Sequence, residues 1–191
     1  MLILPRSCFL HVPKTGGSWV KRAILAAGVP AQEHSRDGYT HLGLADCPVP
    51  GLFRFAFVRN PLALYRSYWQ FKQTVGWDDA NDLDCQCRDD RFEVFVRQVL
   101  EKFPGIYSRT LEEFVGPADA PIEFIGRYEN LVEDLVRALS LAGEDFDAAA
   151  VRALPPYNVS DKRKAPAVYT PDLEAAVRLA EAEAFARFGY E

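Results

Sequence analysis

The sequence predicts an α/β protein: a three-layer domain with a mainly parallel central sheet flanked by helices, with residues 1–191 forming a single domain. Three observations carry this. Short, largely apolar runs at Cys8–Val12, Phe53–Val58 and Ile122–Ile125 read as strands, and the unbroken Phe55-Ala56-Phe57-Val58 suits a strand buried on both faces. Each run is followed by helix-start signals: Gly16-Gly17-Ser18, Asn60-Pro61 and Asn130. The resulting alternation of strand and helix is the pattern of a parallel sheet covered by helices. A hydrophobic content of 49% in 191 residues, with 13% aromatics, supplies one core.

Residues 2–12 read as the first strand, with Arg6 and Ser7 weakening its first half. A helix from about Ser18 to Ala27 follows. Trp19, Ala23, Ala26 and Ala27 share its packed face, and Gly28 offers a left-handed C-cap. Residues 29–51 are irregular, with three prolines, three glycines and two of the three histidines; a loop of that length in a compact domain is often functional. After the strand at 53–58, Asn60 caps a helix that opens with Pro61 and runs to Phe71. Residues 74–91 hold six aspartates and read as a solvated loop, or as a flap over an acceptor. Phe92–Phe103 has helical spacing and ends at Pro104, Ile122–Ile125 is a strand, and Asn130–Leu141 is a helix closed by Gly143. Residues 155–169 form a proline-rich loop around Lys162-Arg163-Lys164. The last helix is capped by Thr170 and opened by Pro171, with Leu173, Val177, Ala180, Ala184 and Phe188 as one core-facing stripe. Internal repeats and a domain linker are not evident.

A net charge of −5 argues against a general nucleic-acid binder. The distribution says more: residues 1–72 hold nine Lys/Arg against three Asp/Glu, or +6, which leaves −11 for the remainder. No apolar run approaches the length of a membrane span, and the short apolar start is broken by Arg6, so neither a span nor a signal peptide is expected. Cys8, Cys47, Cys85 and Cys87 have no zinc spacing and read as reduced thiols of a cytoplasmic protein.

The chemistry concentrates at Pro13-Lys14-Thr15-Gly16-Gly17-Ser18-Trp19, between a strand and a helix. Such a loop can turn several backbone N–H groups toward one point at the positive end of a helix dipole, which makes an anion site. Lys14 adds a full charge, the glycines let the backbone approach a ligand, and Ser18 can cap the helix or bond a phosphate oxygen. The order GxxxxGK[ST] is absent, because here the lysine precedes the glycines. Arg59, in Phe57-Val58-Arg59-Asn60-Pro61, closes the second strand and can clamp a phosphate bidentately, with Ser67 eight residues on. Both segments lie at carboxyl ends of predicted strands, where ligands of open α/β sheets bind.

This pair of motifs resembles the 5′-phosphosulfate and 3′-phosphate motifs of sulfotransferases that use PAPS (3′-phosphoadenosine 5′-phosphosulfate). The stretch His11-Val12-Pro13-Lys14-Thr15-Gly16-Gly17 is closest to the branch that includes carbohydrate sulfotransferases. The resemblance lies mostly before residue 70. It implies a P-loop-like fold, PAPS as co-substrate, no metal, and an acceptor hydroxyl on a sugar or glycoconjugate. It further implies that Thr15, Gly16, Gly17 and Ser18 hold the 5′-phosphate, that Lys14 stabilises the leaving phosphate, that Trp19 stacks on adenine, and that Arg59 and Ser67 hold the 3′-phosphate. Gly126-Arg127-Tyr128-Glu129-Asn130 resembles the family's Tyr-Glu segment, which puts Tyr128 near the adenine. Where some relatives have an Arg-Lys-Gly loop, this chain has Lys162-Arg163-Lys164-Ala165, so Arg163 is the residue carried over without the glycine. Many relatives also have a basic residue five places after the motif arginine; here it is Leu64, and Arg66 lies at a different helical angle.

The acceptor must lose a proton, and a histidine or carboxylate is the usual base. His41 is the candidate, with His34 and Glu33 behind it; His11 sits on the strand and supports the loop. Two rival readings are a nucleotide-dependent kinase using the same loop for ATP and a non-catalytic nucleotide-binding module.

Overall fold

The structure, a computed structural model, describes residues 1–120, 122–157 and 166–191. The expected first strand is two. β1 (Leu2–Ile3) and β2 (Ser7–Leu10) pair antiparallel, joined by a turn in which the Leu4 amide donates to the Ser7 carbonyl at 2.9 Å. Pro5 and Arg6 are exposed in that turn. α1 (Gly17–Ala26) follows, with Gly28 just beyond it at φ +81°. The irregular segment contributes a short β3 (Gln32–Glu33) and one 3-10 turn at Leu44–Asp46. β4 (Phe53–Val58) has the expected bounds. α2 (Pro61–Val75) is capped by the Asn60 side chain, which accepts from the Leu62 amide, and runs a turn past Phe71 to Gly76.

The acidic stretch expected as a loop contains α3 (Asp82–Cys87), whose cap is Asn81, accepting from the Asp84 amide. α4 (Phe92–Lys102) and an unforeseen α5 (Ile106–Val115) precede β5 (Phe124–Arg127). α6 (Leu131–Ala142) ends at Gly143, and α7 (Ala148–Ala153) is capped by Asp147. The last helix is broken at Glu181 into α8 (Pro171–Ala180) and α9 (Ala182–Phe188).

The sheet order is β3-β1-β2-β4-β5. β2, β4 and β5 are mutually parallel, while β1 pairs antiparallel with both β2 and β3, so the sheet is mixed. This α/β chain divides into two compact units. Among the described residues, no helix is long and apolar enough to cross a membrane.

The first unit, Met1–Arg59 with Leu111–Asn158, holds the whole sheet. Its core joins Phe9, Phe55 and Phe57 of the sheet to Trp19, Val20, Ala23 and Ile24 of α1 and to Leu135, Ala138 and Leu139 of α6. Burying each large apolar side chain is worth about 1.5–3 kcal/mol. Cys8, Leu10, Ala56 and Val58, which alternate with these along the strands, are buried too, and that two-sided burial explains why β4 reads as an unbroken apolar run.

The second unit is Asn60–Thr110 with Val159–Glu191. Here α4 and α2 both pack on α8. The helix break is explained by Glu181, which is fully buried. Its carboxylate accepts from the Tyr65 hydroxyl at 2.9 Å, the Ser108 hydroxyl at 2.6 Å, and the amides of Ser108 and Tyr107 at 2.8 and 3.3 Å. A buried carboxylate is tolerated only with such a set of donors.

Candidate functional site

The loop leaves β2 through His11 and Val12 and turns over residues 13–16. Lys14 sits at φ +64° and Gly16 at φ +86°. A non-glycine residue in the left-handed region costs about 1–2 kcal/mol. Left-handed residues interleaved in a turn are the way a chain gathers successive amides into an anion-binding concavity. Thr15 is buried, and its hydroxyl donates to the Val12 carbonyl at 2.9 Å, which braces the turn from within. α1 starts at Gly17, and its first backbone bonds run from Trp19 and Val20 to the Gly16 carbonyl. By helix geometry the amides of Gly17 and Ser18 have no intrahelical acceptor and lie at the dipole's positive end. Ser18 is exposed beside them.

Arg59 follows β4 and Tyr128 follows β5, so both emerge at the same end of the parallel strands as the loop. The three meet. The Arg59 guanidinium carbon lies 3.9 Å from the centre of the Tyr128 ring, and its Nη1 donates to the Lys14 carbonyl at 3.1 Å. Such a cation–ring contact is worth about 0.5–2 kcal/mol. Gly16 packs against the same ring: a Cβ there would lie 3.1 Å from Tyr128 Cδ2 and 2.7 Å from a Leu131 methyl. Lys14, Thr15, Gly16, Gly17, Ser18, Arg59 and Tyr128 are thus one cluster, although 45 residues separate the lysine from the arginine.

His41 joins it through His11. The Nδ1 of His41 donates to the His11 carbonyl at 2.9 Å, and the two rings are 4.3 Å apart. His41 is itself exposed. With Nδ1 carrying the proton, Nε2 is the basic nitrogen of the neutral ring. Burial, reinforced by the neighbouring His41, pushes the His11 imidazole down to about 3. The segment bearing His41 is held by the N-terminus: the Met1 ammonium donates to the Thr40 carbonyl, and the His34 amide to the Met1 carbonyl. Glu33 is engaged elsewhere, in an ion pair with Lys21 that holds its carboxyl below the ordinary range.

Trp19 is placed differently from the stacking surface the resemblance implies. Its ring is 5% exposed within the core, and its indole N–H donates to the Pro155 carbonyl at 3.1 Å. Ser67 lies in the second unit, buried on α2, as does Leu64; Arg66 is exposed, 4.7 Å from the Tyr169 ring. Arg163, with Lys162 and Lys164, lies outside the described residues. His11, expected to support the loop, does so by a contact that sequence reasoning missed: its ring fills the space a Gly17 side chain would need. The signal was present in the histidine at the strand end six residues before the second glycine.

Among the described residues, no group of three or more His, Cys, Asp or Glu side chains could hold a metal ion. No family model, no curated protein and no solved structure matches the chain, so the functional reading rests on this cluster of loop, arginine, tyrosine and histidine pair.

Proposed function

We propose that the chain is a PAPS-dependent sulfotransferase on a P-loop-like, three-layer fold, with an acceptor hydroxyl on a sugar or glycoconjugate. The observation that carries the reading is the meeting of Arg59 with the Lys14 carbonyl and the Tyr128 ring. It brings a second fixed cation to the loop that already offers helix amides and Lys14, as a ligand with two separate anionic groups requires. The loop would hold the 5′-phosphosulfate and Arg59 the 3′-phosphate. In transfer, the acceptor oxygen bonds to sulfur as the bond from sulfur to the 5′-phosphate oxygen breaks. Negative charge grows on that phosphate oxygen, where Lys14 and the amides of Gly17 and Ser18 stabilise it more than in the ground state. The acceptor proton goes to Nε2 of His41. Four thiols without disulfide partners fit a reducing, cytoplasmic setting.

Thermal shift with PAP, the desulfated product, tests this, with ATP and AMP as controls. A ligand at ~100 times its Kd adds ~2.7 kcal/mol, a rise of roughly 5–11 °C at ~2–4 °C per kcal/mol. Arg59→Ala should weaken PAP at least ~10-fold, the scale of a lost charge-assisted pair, and leave AMP nearly unchanged. A shift with ATP but not PAP would make the protein a kinase, and no shift with either would make it a non-catalytic module.

A further inference from the structure

We propose that His11 is the positioning residue of this site: its ring packs against both Gly17 of the phosphate loop and the His41 imidazole, and its carbonyl fixes His41 with Nε2 free to take a proton. What Nε2 does there rests on the sulfuryl-transfer reading; how His41 is held rests on geometry alone.

Gly17 lies outside the left-handed region, so its backbone does not call for glycine. A Cβ there would sit 1.9 Å from His11 Cδ2 and 2.1 Å from Nε2, which no real side chain tolerates. The glycine is required by the imidazole. His11 is 8% exposed, stacks on Phe9 at 5.8 Å, and has a buried Nδ1 with no partner among the described residues. Its ring therefore serves by shape rather than by hydrogen bonding through that nitrogen. One buried ring thus sets the start of α1 and the placement of the histidine proposed as base. Burial also keeps His11 neutral near pH 7, so its ring adds no charge beside His41. The other charged groups facing the pair are Lys21 of α1 and the Met1 ammonium, which act on His11, and Glu33 of β3, which interacts with His41.

The test combines imidazole nitrogen NMR with PAP titration on the full chain and on His11→Ala, His11→Leu, Gly17→Ala and the double variant His11→Ala/Gly17→Ala. In the native chain the neutral His41 ring should be the Nδ1–H tautomer. The His11 variants should keep that tautomer, because the carbonyl that accepts from Nδ1 belongs to the backbone and survives the substitution. Gly17→Ala should lose at least ~10-fold in PAP affinity, and adding His11→Ala should restore it to within ~3-fold, a coupling expected only of residues in direct contact. His11→Leu keeps the space largely filled and decides the matter if the alanine chain does not fold. An Nε2–H tautomer of His41 in the native chain, or losses that simply multiply in the double variant, would overturn the proposal. No PAP binding by the native chain would overturn the sulfotransferase reading instead, and the nitrogen shifts would still decide the role of His11.

Discussion

Lowering the pH from 7.5 to 5 should destabilise the first unit through one buried imidazole. His11 is pushed down to about 3 by burial, with His41 and Lys21 adding to the effect, whereas an unfolded histidine titrates near 6.5. The sign follows from which state takes the proton. Above pH 6.5 neither does, and the folded state keeps its full stability. Between 6.5 and about 3 the unfolded chain binds a proton that the folded chain refuses, so stability falls as the pH falls. At pH 5 the loss from this group is about 2 kcal/mol, a drop in Tm of roughly 4–8 °C. Other groups titrate as well. The Met1 ammonium is pushed down by burial, and the carboxyls of Glu33 and Glu123 lie below their ordinary 4.5. These are present in native and variant chains alike. The assay is therefore urea unfolding of native protein and His11→Leu at pH 7.5 and pH 5, read as the difference between the two pH dependences. The native chain should lose about 2 kcal/mol more than the variant. Equal losses would refute the assignment of His11 as a buried neutral base.

Lys14→Gly should separate stability from activity, because it relieves the left-handed backbone at position 14 while removing the cation. Calorimetry should give a Tm raised by about 1–4 °C after the entropy cost of glycine, and transfer should fall by ~10²–10³; a lowered Tm would show that no strain is held there. Glu181→Ala orphans the amides of Tyr107 and Ser108, which should cost about 2–6 kcal/mol in urea unfolding; a loss under about 1 kcal/mol would mean that the carboxylate is not what holds the α8–α9 break. Iodoacetamide should label exposed Cys85 first and Cys8 and Cys87 last, since burial pushes both of those thiols up; mass spectrometry showing Cys8 modified early in folded protein would refute its burial.

What was legible in the sequence was local. β4, α2 and α6 follow from apolar runs bounded by Asn60-Pro61 and by Gly143, signals that act within a few residues. The convergence of Lys14, Arg59 and Tyr128 was also legible, because each follows a parallel strand and parallel strands end together. The rest depends on partners far along the chain. Nothing near Glu181 announces a helix break, since its donors come from residues 65, 107 and 108. The helical spacing of Trp19 put it on a packed face, and it lies in the core instead of on the stacking surface the resemblance implies, its N–H meeting a carbonyl 136 residues away. The hairpin at Pro5–Arg6 could have been read: an imino acid and a charge in mid-strand mark a turn. α3, by contrast, is stabilised by the buried Asp84, which bonds the Tyr68 hydroxyl and pairs with Lys72; in sequence this is one aspartate among six.

The interleaving of the two units has a consequence for how the chain is made. Each is assembled from two separated stretches, and the β4–β5 ladder joins Val58 to Arg127. A ribosome working at about 5–20 residues per second leaves the β4 edge without its neighbour for roughly 3–14 s. During that interval the nascent chain presents Phe55, Ala56, Phe57 and Val58 on an open strand, the kind of template that other chains can join. A chain ending at residue 110 would never leave that state, so truncation there should yield an aggregating fragment rather than a smaller folded protein.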